Sequence, residues 1–94
     1  MNPITYLVTY DIEDDKEREI VQQYLIGNLG ALRITECSYI IHVDCKPTVI
    51  LDKIYSLAKL KESNRFLVVA IKEPYAGHIS DFAVSRLNAH LNIR

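Results

Sequence analysis

The spacing of apolar residues changes repeatedly along this chain, and each change predicts an element. Residues 4 to 10, ITYLVTY, are β-branched, aromatic or leucine throughout, and Asp11 closes the run. Such a stretch favours a strand over a helix. Apolar character at both parities predicts cover on both faces or a central place in the sheet. From Asp14 or Asp15 the period becomes helical: Ile20, Val21, Tyr24, Leu25 and Leu29 share one stripe, opposite Lys16, Glu17, Glu19, Gln22 and Gln23. Asp14 suits the N-cap, and the acids of the first turn suit the positive end of the helix dipole. Gly27 and Gly30 weaken the last turn, which places the exit near residues 28 to 30.

Residues 32 to 44, LRITECSYIIHVD, read as a second extended segment with an irregularity near Glu36 and Cys37, and SYIIHV is the strand within it. Cys45, Lys46 and Pro47 form a turn, and the proline opens a second helix from Pro47 to about Leu60. Its stripe is Ile50, Leu51, Ile54, Leu57 and Ala58. A polar turn, KESN, leads to the most strongly apolar strand, RFLVVAIK, at 65 to 72. EPYAGH is a loop, after which Ser80 or His78 caps a last helix carrying Phe82, Ala83, Leu87 and Leu91.

The order β-α-β-α-β plus a C-terminal helix predicts the α+β class. Its simplest form is a ferredoxin-like sandwich with two helices on one face of a small antiparallel sheet. The 94 residues suffice for one domain, 1 to 94. A ferredoxin-like sheet normally has a fourth strand after the third. Only KEPYAGHIS stands there, and Pro74 and Gly77 disfavour a regular strand. An uncovered edge invites a second copy of the chain, so a homodimer is expected.

Composition narrows the function classes. Eleven Lys and Arg against twelve Asp and Glu leave a net charge of −1. That argues against a protein held to nucleic acid or membrane by its overall field, while a local basic patch stays open. No apolar run approaches the roughly 20 residues needed to cross a bilayer. The start, MNPIT, lacks the basic and apolar regions of a secretory signal, so the expected location is the cytoplasm. Cys37 and Cys45 lack the close pairing of a zinc knuckle and read as reduced, small apolar residues.

Three stretches carry a family resemblance: TYLVTYDI followed by DDKER, the second strand TECSYIIHVD with Ser38 and Tyr39, and RFLVVAIKEPYAG at 65 to 77. Together they resemble the CRISPR-associated nuclease-like superfamily, which includes the small dimeric subunit of the CRISPR integration complex. The glycine of that subunit's second-strand motif is absent. In length and ending the chain is more similar to the uncharacterised SinR-like group of the superfamily, with Tyr75 where that group tends to carry tryptophan. Virulence-associated protein D, a ribonuclease toxin, is a more distant likeness. The resemblance implies a ferredoxin-like homodimer. In some members the carboxylate ending the first strand serves a metal-dependent nuclease, paired across the dimer, and here that residue is Asp11. Other members hold DNA on a dimer surface without catalysis.

Two readings of Asp11 therefore stand side by side. In one, Asp11 is the catalytic and metal-binding residue, holding Mg²⁺ or Mn²⁺ with its symmetry mate; such hard cations take oxygen ligands and keep several waters. In the other, Asp11 ends a strand and bonds to nearby backbone amides. Glu13, Asp14, Asp15 and Glu17 read as a solvated helix start. For nucleic acid the candidates are Arg18, Arg33, Arg65 and Lys72, with Arg33 and Arg65 expected at one end of the sheet. His42 lies inside an apolar strand and suits a satisfied, half-buried role. His78, after the Gly77 turn, suits a dimer cleft. Ser38 has no histidine placed to activate it. The two functions expected are a metal-dependent endonuclease on RNA or DNA and a non-catalytic adaptor dimer that binds nucleic acid or protein.

Overall fold

The computed structural model of the chain describes residues 3–58, 64–72 and 80–90. Over these residues the order is β1 (Ile4–Asp11), α1 (Asp15–Gln23), β2 (Leu32–Thr35), β3 (Ser38–Val43), α2 (Pro47–Ala58), β4 (Arg65–Ala70) and α3 (Asp81–His90). The four strands lie in the order β2-β3-β1-β4, each pair antiparallel. Parallel strands β1 and β2 thus flank β3, and parallel β3 and β4 flank β1. These two interlocked β-α-β units define a ferredoxin-like α+β fold. No helix among the described residues is long and apolar enough to cross a membrane.

The fourth strand is β2, at the start of the segment 32–44. It arises because the segment 32–44 folds back on itself: Thr35 pairs with Ser38, Glu36 and Cys37 form the turn, and the register shifts between Arg33 and Thr35. The irregularity expected at Glu36–Cys37 is a hairpin. Side-chain hydrogen bonds brace this tight turn. Thr35 Oγ1 accepts the Cys37 amide at 3.3 Å, and the Arg33 guanidinium donates to the carbonyls of Thr35 and Glu36 at 3.2 and 3.5 Å. Residues 73–79, where the missing strand was sought, lie outside the described residues, as do His78 and Leu91.

Local chemistry explains the helix ends. Asp14 caps α1, its carboxylate accepting the amides of Lys16 and Glu17 at 2.9 and 3.0 Å. The helix continues as a π-helical turn over Tyr24–Asn28 and stops at Gly30, whose φ of 64° is costly for any residue with a Cβ. Ser80 caps α3 through its hydroxyl, 3.1 Å from the Ala83 amide. The main core lies between the sheet and the pair α1 and α2: Tyr6 and Val8 from β1, Tyr39 and Ile41 from β3, Val21 from α1 and Ile54 from α2. Buried phenols there are satisfied, since Tyr6 donates to the Cys45 carbonyl at 2.7 Å and Tyr10 to the Tyr39 hydroxyl at 3.3 Å.

Candidate functional site

Alternation along β1 separates two kinds of side chain. Tyr6, Val8 and Tyr10 are buried in the core, while Leu7, Thr9 and Asp11 take the opposite face. Asp11 ends the strand exposed, opposite Arg65, the first residue of β4. Thr9 stands opposite Ser38 on β3, their hydroxyls 3.1 Å apart. A shallow cleft of about 230 Å³ runs past Thr9, Asp11, Arg65 and Leu67. At the other end of this face Thr5 and His42 are joined, Oγ1 to Nδ1, at 2.8 Å. Six residues separate Thr5 from Asp11, or about 20 Å along the strand, so His42 is no base for chemistry at Asp11.

The alternative role for Asp11, bonding to nearby amides, is performed by its neighbour Asp14. Asp11 is therefore not the residue that anchors the helix start. As a cation site the position is minimal: among the described residues no three His, Cys, Asp or Glu side chains gather where they could hold a metal ion. One or two carboxylates, with water in the remaining positions, is the donor set that Mg²⁺ or Mn²⁺ usually takes from protein, and Asp11 supplies one.

The three arginines fall into two places. Arg33 and Arg65 lie on the two edge strands, β2 and β4, with β3 and β1 between them. The register sets Arg33 level with Val8 and Arg65 level with Asp11, toward the same end of the strands but at opposite edges of the sheet. The separation follows from the hairpin, which carries Arg33 to the outer edge. Arg33 instead meets Arg18. The two line a cavity of about 550 Å³ between α1 and the β2–β3 hairpin, together with Tyr10, Glu19 and Glu36. Each guanidinium is held by its own chain. Arg18 donates to the Ile12 carbonyl at 3.3 Å and pairs with the Asp15 carboxylate, while Arg33 spans the hairpin turn. Sequence spacing gave no sign of this cavity, because Arg18 and Arg33 come together only through the unexpected β2 edge.

Burial raises the pKa of Tyr10, and its hydrogen bond with Tyr39 raises it further. Burial likewise raises Tyr6, Tyr24 and Cys45. These groups stay protonated at neutral pH, so none is a ready nucleophile or base. Cys37 and Cys45 are free and half-buried, as expected from the sequence.

No protein-family model matches the chain, and no curated protein matches it. Among solved structures it is similar to the hypothetical protein TT1823 from Thermus thermophilus, with a TM-score of 0.62 and 18% identity over 84% of this chain and 96% of that one. At that identity the likeness concerns the fold.

Proposed function

We propose that the chain is a nuclease-like homodimer of the cytoplasm that cuts RNA or DNA with the help of a divalent cation held by Asp11 from each copy. The observation that carries this reading is the company Asp11 keeps. It is exposed, it faces Arg65 across the strand pair, and it shares a sheet face with Leu67 and Val69, which are 56% and 41% exposed on an edge strand. An exposed apolar edge strand is a pairing surface. A second copy docked there covers Leu67 and Val69 and brings a second Asp11 to the same cleft, completing a site that one chain leaves half built. A cation bound between the two carboxylates supplies Lewis acidity toward phosphate and a more acidic water. Arg65 then steers the phosphodiester toward the carboxylates and offsets its charge.

A binding or adaptor dimer is the second reading. It is favoured by the engagement of Arg18 and Arg33 with their own chain and by the net charge of −1, both unlike a deep phosphate groove.

The test incubates labelled single-stranded RNA and double-stranded DNA with the protein and Mg²⁺, Mn²⁺ or EDTA, beside Asp11→Ala. Metal-dependent cleavage lost in the variant supports the enzyme. Equal inactivity of both proteins under every metal favours the adaptor. Light scattering reads the mass in parallel, and Leu67→Glu is expected to turn a dimer into a monomer.

A further inference from the structure

We infer that the cavity between α1 and the β2–β3 hairpin is a seat for a guanine base. The first ground is size and shape. At about 550 Å³ the space falls within the range of small-ligand sites. It is bounded on one side by α1 and on the other by the hairpin, with the buried aromatic Tyr10 between them.

The second ground is charge. A phosphate site is ruled out by the lining itself, where the carboxylates of Asp15, Glu19 and Glu36 outnumber the guanidinium groups of Arg18 and Arg33. What such a lining does match is an uncharged planar ligand with donors on one edge and acceptors on another. Guanine is the base that presents both: N1–H and the N2 amino group suit a carboxylate, and O6 with N7 suit a guanidinium. Adenine lacks the first pair and reverses part of the second.

The third ground is readiness. Asp15 and the Ile12 carbonyl already hold Arg18, and the Thr35 and Glu36 carbonyls already hold Arg33. A guanidinium carries five N–H donors, so each keeps donors for a ligand. These contacts restrain both groups in part, which lowers the side-chain freedom lost when a base enters. Asp15 is committed to Arg18, which leaves Glu19 and Glu36 as the acceptors for the Watson–Crick edge.

The inference rests on the reading that the chain handles nucleic acid, and it gives that reading a specificity: single-stranded segments containing G. The experiment is calorimetric titration of the full chain with GMP, AMP, IMP and inorganic phosphate, then with a G-containing single-stranded RNA tetranucleotide and its G-free counterpart. GMP is expected to bind at least about tenfold more tightly than AMP. IMP, which lacks the N2 amino group, is expected to lose about tenfold. Glu19→Gln or Glu36→Gln is expected to erase the difference between GMP and IMP.

Binding of both GMP and the G-containing RNA supports the seat within a nucleic-acid strand. Binding of GMP alone supports it for free nucleotides. Equal binding of GMP and AMP, binding of phosphate as tight as GMP, or no heat with millimolar GMP overturns it. Asp11→Ala separates the two proposals, since it removes cleavage in the nuclease reading and leaves GMP binding unchanged.

Discussion

The two faces of β1 differ in what they ask of their residues. On one face Tyr6, Val8 and Tyr10 are 2%, 0% and 5% exposed, and the two phenols are hydrogen-bonded. On the other face the same strand runs outward to Thr9 and then to Asp11, which stands in the open beside Arg65. Adjacent residues thus serve opposite purposes because strand geometry turns each side chain away from its neighbour. A carboxylate at residue 10 would be buried without a partner. At residue 11 it is exposed and costs the fold little. The lesson is that a functional group can sit one peptide bond from the core when the element is a strand.

The comparison is broken most severely on the covered face. Ile54 of α2 is fully buried against the sheet, so Ile54→Ala removes several methyl and methylene groups and leaves a void. The expected loss is about 2–5 kcal/mol, a large part of the stability of a domain this size. Urea denaturation followed by circular dichroism gives the value. A loss under about 0.5 kcal/mol would mean that this face is not the core.

Tyr10 gives a second, pH-dependent break. Removing its hydroxyl in Tyr10→Phe costs about 1 kcal/mol at neutral pH through the lost bond to Tyr39. The alkaline limb is more telling. Burial raises the folded-state pKa of Tyr10 above its ordinary value of 10.0. An acid raised in this way stays protonated in the folded chain while the unfolded chain loses its proton. Its contribution is therefore complete below pH 10.0 and declines as the pH rises above that value toward the folded pKa. Tyr6 and Tyr24 act with the same sign. Wild type is expected to lose stability above pH 10, and Tyr10→Phe to lose it less steeply, in urea titrations at a series of pH values. Parallel curves for the two proteins would contradict the burial of this phenol.

Asp14→Ala tests the boundary between the faces, where the strand hands over to α1. It removes the acceptor for two amides and is expected to cost about 1 kcal/mol. Asp14→Asn, which keeps the acceptor, is expected to restore most of it, read from the same denaturation midpoints.

How much of this was readable in the sequence depends on how local the cause was. The cap at Asp14, the exit at Gly30 and the opening of α2 at Pro47 each follow from one residue's backbone preference, and each was placed within a residue or two. The core stripe of α1 followed from helical period in part: Val21 and Leu25 are fully buried, while Ile20 of the same stripe is 41% exposed. The β2–β3 hairpin was not readable as a hairpin, because Glu36 and Cys37 carry no turn signal and the turn is stabilised by Thr35 and Arg33 acting on neighbours. That one omission left the fourth strand unassigned, concealed that Arg33 lies on the edge strand opposite that of Arg65, and hid the cavity lined by Arg18 and Arg33. Asp11 itself was visible as a strand-ending carboxylate. What sequence spacing lacked was its setting beside Arg65, which depends on the register of β1 against β4.

Asp11→Ala carries the smallest expected change in stability and makes the sharpest use of the comparison. The side chain is exposed, and the capping of α1 belongs to Asp14, so its removal is expected to shift stability by no more than about 0.5 kcal/mol. Across the strand pair Asp11 stands opposite Arg65, and even a formed exposed ion pair contributes only about 0–1 kcal/mol. A residue that matters to function and not to folding should therefore show two unequal responses: a denaturation curve that overlays wild type and a metal-dependent cleavage rate that vanishes. Asp11→Asn refines the test, because it preserves the size and hydrogen bonding of the side chain and removes only its charge. If cleavage is lost in Asp11→Asn with stability unchanged, the negative charge is what the site requires, as a cation ligand must supply. If instead Asp11→Ala lowers stability by more than about 1 kcal/mol, the exposed end of β1 is structural after all.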